Sequence, residues 1–195
     1  MVRTYFNEKA AIWDKQIAEK DITKLESMAQ RLSIKKNSIV LDIGTGTGVF
    51  VPFLLNKIGA NGRLVAVDIA EEMLKLARAK NFPGNIEHIH ADIVNLPIAG
   101  ETFDAAVCYS SFPHFHDKST ALAEITRVLK KGGGLFICHT SNRSTINTIH
   151  STLPAVQHDL IPDAERMHQL LSKAGFGTIT IEDNADSYLA SAIKP

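Results

Sequence analysis

The chain has 195 residues, of which 45% are hydrophobic, so it is long enough for one globular domain that buries roughly two thirds of its unfolded surface. Lys and Arg number 21, as do Asp and Glu, and the resulting net charge of zero gives no bulk attraction to nucleic acid or anionic membranes. No stretch approaches the ~20 apolar residues of a membrane span, and no signal-peptide core is present at the start. We therefore expect a soluble cytoplasmic protein, monomeric or homodimeric, that binds neither nucleic acid nor membrane.

The order of the predicted elements indicates an α/β fold. Amphipathic patterns in residues 4–32 predict one or two N-terminal helices, and apolar runs rich in β-branched residues then alternate with helical patterns. The runs predict strands at 38–43, 63–69, 86–91, 103–109 and 134–140. The helical patterns fall at 49–58, 70–80 and 117–131. Because the strands lack a polar face, we expect a parallel sheet covered by helices on both sides.

The last part of the chain adds a helix and a hairpin. The helix at 117–131 can begin at Asp117 as its N-cap and end at Gly132 in the left-handed conformation. Downstream, the patterns predict a capped helix and two closing antiparallel strands, at 163–176, 177–183 and 187–193. Between them, residues 141–161 give no clear pattern except a short helix in the first half.

The segment 41–48, LDIGTGTG, places three glycines on alternate positions after a strand, which suits close approach of a ligand to the backbone. A dinucleotide fingerprint would place Gly or Ala where this chain has Val49, and no P-loop lysine follows the turn. Asp68 ends the second strand, where a carboxylate can accept both hydroxyls of a ribose, and Asp92 follows the third strand. Either acid could instead only cap its turn or helix, so a structural role for each stays open.

The combination and order of these motifs resemble the class I S-adenosylmethionine (SAM)-dependent methyltransferases, closest to the small-molecule branch sometimes called type 11. The matching segments are VLDIGTGTG, VAVDIAEEML, HADIVNLPIAGETFDAAVCYSSFPHF and EITRVLKKGGGLFI, within about residues 39–137. The resemblance implies a Rossmann-like, doubly wound, mostly parallel seven-stranded sheet with an antiparallel last strand and helices on both faces. It divides one domain into an N-terminal helical cap at 1–36, a SAM-binding core at 37–140, and an acceptor-side segment with the last helix and closing hairpin at 141–195.

The resemblance also implies how SAM, the expected cofactor, is held. The methionine part would lie against the glycine turn, Asp68 would hold the ribose hydroxyls, and Ile69 would pack on the adenine. Asp92 and the backbone of Ile93 would read the adenine amino edge. The predicted cofactor-binding residues are Asp42, Gly44, Gly46, Gly48, Asp68, Ile69, Asp92, Ile93, Tyr109 and Ser110, of which the last two would face the methyl donor.

Three histidines are candidate catalytic residues. The loop SSFPHFHD after the fourth strand carries His114 and His116, and an imidazole there could take a proton from a methyl acceptor or orient it. His114 is the preferred base because it lies nearer the strand end, and His139, ending the fifth strand, is a further candidate. The loop histidines could equally be surface residues without a catalytic role.

Two alternatives concern the histidines and the activity. Several histidines and an acid follow strand ends and could converge on a metal, namely His114, His116, His139, His150, His158 and Asp159. No HxxxH or HExxH pattern occurs, and we predict no metal. The predicted function is transfer of a methyl group from SAM to an unidentified small molecule by in-line displacement. The alternative is a SAM-binding sensor or regulatory protein without transferase activity.

Overall fold

A seven-stranded sheet organises residues 2–16 and 18–195, the part of the chain that the computed structural model describes. The helices are α1 (Val2–Gln16), α2 (Ile22–Arg31), α3 (Val51–Ile58), α4 (Glu71–Ala79), α5 (Lys118–Val128), α6 (Arg143–Ser151) and α7 (Ala164–Lys173). The strands are β1 (Ile39–Ile43), β2 (Arg63–Asp68), β3 (Ile86–His90), β4 (Phe103–Tyr109), β5 (Leu129–His139), β6 (Gly177–Asn184) and β7 (Ser187–Ile193). None of these helices is long and apolar enough to cross a membrane.

The strand order is β3-β2-β1-β4-β5-β7-β6. Strands β1 to β5 pair in parallel, whereas β7 is antiparallel to both of its neighbours, β5 and β6. The predicted fold class is therefore confirmed, including the antiparallel last strand. Because the chain order reverses between β1 and β4, their carboxyl ends flank the crevice in which open α/β sheets bind ligands.

The two faces of the sheet are both apolar because successive side chains of a strand point to opposite faces. In β1, Val40 packs into a core formed with α2 and α3, and Leu41 and Ile43 pack into the opposite core with α5 and α7. The central strand is thus buried on both sides, as the sequence pattern predicts for a parallel sheet.

The main difference from the predicted elements lies at the end of α5. The helix ends at Val128, three residues earlier than predicted, and β5 begins at Leu129, which is fully buried and pairs with Phe103 of β4. Gly132 has a φ of +75°, as predicted for a left-handed residue, but it lies in β5 and does not cap the helix. Burial of Leu129 in the sheet thus overrides the helical pattern of the segment.

Candidate functional site

The turn after β1 uses its three glycines in two different ways. All three have positive φ, at +71° for Gly44, +57° for Gly46 and +81° for Gly48. A Cβ on Gly44 would lie 2.4 Å from the Cβ of Ser111, and one on Gly48 would lie 2.7 Å from the ring of Phe82. A Cβ on Gly46 would have nothing within 4 Å. Packing therefore requires Gly44 and Gly48, while the backbone at Gly46 stays open to approach.

Asp68 joins the end of β2 to the glycine turn. Its Oδ2 accepts a hydrogen bond from the Gly46 N–H at 2.7 Å, and its Oδ1 accepts one from the Ala70 N–H at 2.8 Å. Burial raises the pKa of this carboxyl, and the backbone hydrogen bonds act in the opposite direction. A carboxylate offers about four acceptor positions, so two are left for further donors such as hydroxyl groups.

Asp42 lies behind the turn and is almost fully buried. Its Oδ2 and the hydroxyl of Thr45 have no hydrogen-bond partner among the described residues. Burial raises the pKa of Asp42 to about 7; the neighbouring Thr45 side chain lowers it, and the charge of Asp68 raises it further. Buried polar atoms are nearly always hydrogen-bonded, so the Thr45 hydroxyl, which also lines the cavity, marks a place where a polar ligand group would be stabilised.

A cavity of about 280 Å³ opens over the carboxyl ends of β1, β2 and β4. The predicted cofactor residues that line it are Gly44, Gly46, Asp68, Ile69, Asp92, Ile93, Tyr109 and Ser110. The other two, Asp42 and Gly48, lie outside the lining and support the turn from behind. The carboxylate of Asp92 also accepts the N–H of Val94 at 3.2 Å, so it shapes its own turn as well as facing the cavity.

The end of β4 is held rigidly against the glycine turn. The ring of Tyr109 stacks on Phe50 with centroids 4.4 Å apart, and its hydroxyl bonds to the Thr140 hydroxyl at 3.1 Å. Burial raises the pKa of Tyr109 to about 12, so its phenol stays protonated at neutral pH. Ser110 follows with a φ of +52°, and Ser111 fixes this turn by donating its hydroxyl to the Ile43 carbonyl at 2.6 Å.

Helix α1 forms a roof over the cavity. Phe6 and Trp13 line it from this helix, with ring centroids 5.4 Å apart. Arg3 donates two hydrogen bonds, at 2.9 and 2.7 Å, to Glu71 at the start of α4, and Asn7 donates a third at 2.8 Å. Together with the aromatic contacts, these hydrogen bonds tie the roof to the body of the protein.

The three candidate catalytic histidines occupy different places. His114 and His116 line the cavity, and His114 Nδ1 lies 2.9 Å from the Asp159 Oδ2. The structure does not bring His139 to the cavity: it is 2% exposed, neither ring nitrogen has a partner, and its register partner Tyr188 covers it. Burial lowers the pKa of His139 to about 3. We therefore assign His139 no role at the site.

The residue that sequence reasoning missed is Asp159 as a partner of His114. The sequence suggested it only as one of several hypothetical metal ligands, and it lies in the segment without a clear pattern. Within residues 2–16 and 18–195, no group of three or more His, Cys, Asp or Glu side chains is arranged to hold a metal. No local signal links Asp159 to His114, because the pair forms only after α6 folds back on the β4–α5 loop.

Comparison with known proteins shows that the chain is similar to methyltransferases. A family model described as a methyltransferase domain matches residues 40–133. The ubiquinone/menaquinone biosynthesis C-methyltransferase UbiE of Klebsiella pneumoniae is 29% identical over 165 residues, which cover 83% of this chain and 61% of that protein. The chain thus spans less than two thirds of the length of this curated relative.

Solved structures show the same fold. A chain of the Haloferax volcanii complex that contains the Trm112 methyltransferase activator has a TM-score of 0.86 at 20% identity, covering 100% of this chain and 98% of that one. A SAM-dependent methyltransferase from Aquifex aeolicus has a TM-score of 0.77 at 21% identity, with 97% and 98% coverage. At these identities the likeness establishes the fold alone.

Proposed function

We propose that the chain is a class I SAM-dependent methyltransferase that transfers a methyl group from SAM to a small-molecule acceptor. The observation that carries the proposal is the cavity at the switch point of the sheet, bounded by the open backbone of Gly46 and the carboxylate of Asp68. When bound, SAM supplies a methyl group activated by its positively charged sulfur.

The residues around the turn fit this cofactor. The Thr45 hydroxyl lines the cavity without a partner and is an acceptor suited to the ammonium of an amino acid moiety, with the Asp42 carboxyl behind it. Asp68 keeps free acceptor positions for ribose hydroxyls, and its two backbone bonds fix their direction. On the far side, Asp92 and the backbone of Ile93 would bind the adenine amino edge, while Ile69 would pack on the ring.

The protein's part in the reaction is to hold the acceptor and exclude water. Such positioning is worth ~7 to 11 kcal/mol in favourable cases, so a methyltransferase requires neither a metal nor a covalent nucleophile. Phe6 and Trp13 of the roof and Phe115 of the loop after β4 supply apolar walls. Tyr109 and Ser110 lie at the strand end, where the methyl donor would be, and His114 and His116 are the candidate proton acceptors.

More specifically, we propose that the methyl group is transferred to a carbon atom of the acceptor. The support for a carbon acceptor is the name of the curated relative, which is a C-methyltransferase. The mostly apolar lining of the cavity agrees with a weakly polar acceptor. Because the chain covers 61% of that relative, the relative's own substrate is not carried over.

Calorimetry tests the donor half of the proposal. We expect binding of SAM and of S-adenosylhomocysteine to the full chain, weakened at least tenfold by Asp68→Ala, with no binding of NAD. The matched control is Asp186→Ala, an exposed acid in the β6–β7 turn, which should bind like the wild type. Binding of NAD in place of SAM would contradict the proposal that the glycine turn binds SAM.

Turnover tests the transfer half. Release of S-adenosylhomocysteine in the presence of a panel of phenols, enols, thiols and amines should exceed the rate without an acceptor, and Asp68→Ala should abolish the excess. Tight SAM binding with no excess release for any class of acceptor would instead favour a sensor.

A further inference from the structure

We propose that Asp159 is a positioning residue that holds the His114 ring with Nε2 toward the cavity. There Nε2 accepts a proton from the methyl acceptor. The inference rests on the proposed function and deepens it, because it restricts the acceptor to molecules whose nucleophilic group must lose a proton at neutral pH. Phenols, enols and thiols belong to this class, and a phenol or enol deprotonated at oxygen can also react at its conjugated carbon.

The contact between the two side chains fixes which nitrogen carries the proton. His114 Nδ1 lies 2.9 Å from Asp159 Oδ2, a normal hydrogen-bond distance. An ionised carboxylate can only accept, so the proton of this bond resides on Nδ1. In the neutral imidazole the lone pair is then on Nε2, the nitrogen that a general base needs.

The second nitrogen faces open space. Nε2 of His114 has no hydrogen-bond partner among the described residues, and it is not fully buried. The side chain itself lines the cavity, which is the open space beside it. His139 differs from His114 in this respect, because both of its ring nitrogens are buried from solvent and have no hydrogen-bond partner.

The support for Asp159 is itself well ordered. The side-chain amide of Asn147 on α6 donates to the Ile161 carbonyl at 3.0 Å and accepts from the Ile161 N–H at 2.8 Å. His150, also on α6, bonds through Nδ1 to the Asp159 carbonyl oxygen. These contacts hold the segment at Asp159 itself and at Ile161, two residues later.

The ring of His114 is confined as well as oriented. The His114 ring packs against Phe6 of the roof, with 4.9 Å between the ring centroids, and against His150, with 4.8 Å between the ring centroids. Only 12% of the His114 side chain is exposed, against 22% for Asp159. The imidazole therefore has little freedom to turn Nε2 away from the cavity.

The surrounding charges favour the neutral base. Burial lowers the pKa of His114, and the neighbouring Asp159 limits that decrease. The nearby Lys118 also lowers it, with its ammonium directed to the Pro113 and Phe115 carbonyls at 2.8 and 3.1 Å. The titratable and charged groups around the ring are Asp159, Lys118, His116, Asp117, His139 and His150. At neutral pH the imidazole is therefore ready to accept a proton.

Protons and electrons balance in the proposed methyl transfer. The acceptor's proton moves to His114 Nε2. In an oxygen or sulfur acceptor, the electron pair that the proton leaves forms the new bond to the methyl carbon. In a carbon acceptor, that pair becomes the C=O π bond, the C=C π pair forms the new bond, and a ring carbon then loses its own proton to solvent. The pair of the broken carbon–sulfur bond stays on sulfur, which becomes neutral. The imidazolium beside the Asp159 carboxylate is stabilised until it releases the proton to solvent.

Nitrogen NMR of the histidine rings tests the inference without knowledge of the acceptor. The full chain, labelled with ¹⁵N-histidine and saturated with S-adenosylhomocysteine, would be titrated with pH, with the His114 signals assigned from His114→Gln. We expect the neutral ring to carry its proton on Nδ1. In Asp159→Asn the two tautomers should mix and the titration midpoint should fall by about one pH unit, because the stabilising charge is gone. Asp186→Asn, the exposed control, should match the wild type.

A wild-type ring protonated on Nε2 would overturn the inference even if Asp159→Asn does not fold. An unchanged tautomer together with an unchanged titration midpoint of His114 in Asp159→Asn would also overturn the inference. That result would mean that Nδ1 stays protonated without the carboxylate, so the contact would only tie the segment around Asp159 to the loop after β4. Calorimetry on the same samples separates the two proposals: failure of the wild type to bind S-adenosylhomocysteine removes the proposed function, while normal binding with the wrong tautomer removes only the role of the pair.

Discussion

The Cβ of Ser111 occupies the space that a side chain on Gly44 would need, at a distance of 2.4 Å. Gly44→Ala should therefore destabilise the fold by about 2 to 4 kcal/mol, from the left-handed conformation and from overpacking together. Ser111 cannot move away cheaply, because its hydroxyl is bonded to the Ile43 carbonyl. Urea unfolding would measure the loss. Gly175→Ala is the control, since Gly175 follows α7 with a φ of +90° and a Cβ added there would have nothing within 4 Å, and it should cost only about 1 kcal/mol.

Gly46→Ala should separate ligand binding from folding. A Cβ at this position meets no protein atom within 4 Å, so the loss of stability should be about that of Gly175→Ala. The same Cβ would protrude into the cavity where the backbone is open, so we expect the affinity for S-adenosylhomocysteine to fall at least tenfold. Calorimetry on Gly46→Ala and Gly175→Ala provides the comparison, and equal affinities would show that no ligand approaches this part of the turn.

These glycines illustrate what the sequence could predict. The turn and the acids at the strand ends follow from local patterns, because a strand, its turn and its terminal acid are neighbours in the chain. The seven-stranded sheet with its antiparallel last strand was instead implied by the family resemblance. The pairing of Asp159 with His114 does not, because it depends on how α6 and the irregular segment after it fold back. The buried position of His139 was missed for a similar reason, since its cover, Tyr188, arrives from β7.

His139 should make the protein less stable in acid. Its pKa is lowered from 6.5 to about 3 by burial, so between these values the unfolded chain binds the extra proton and the native state does not. Stability therefore falls as the pH decreases below about 6.5, by up to about 1.4 kcal/mol per pH unit and roughly 2 kcal/mol between pH 7 and pH 5. Burial raises the pKa of Asp42 to about 7, which acts in the opposite direction in the same range.

The contribution of His139 is isolated by comparing variants. His139→Leu should be less sensitive than the wild type to a change from pH 7 to pH 5, by the same ~2 kcal/mol in urea unfolding. His158→Leu, which changes an exposed histidine, should keep the wild-type dependence. An identical dependence in His139→Leu would mean that the imidazole is not held neutral in the folded protein.

Glu71 should control the opening of the roof with little effect on the fold. Glu71→Ala removes the hydrogen bonds from Arg3 and Asn7 that hold α1 on α4, while the cores on both faces of the sheet stay intact. We expect faster proteolysis between α1 and α2 and a several-fold faster dissociation of S-adenosylhomocysteine, measured by stopped-flow displacement. The Arg3–Glu71 pair is partly exposed and screened by solvent, so the free energy of unfolding should change little. Glu87→Ala, which breaks the exposed pair with Arg63 away from the roof, should leave both rates unchanged. Equal dissociation rates for Glu71→Ala and Glu87→Ala would show that α1 does not retain the ligand.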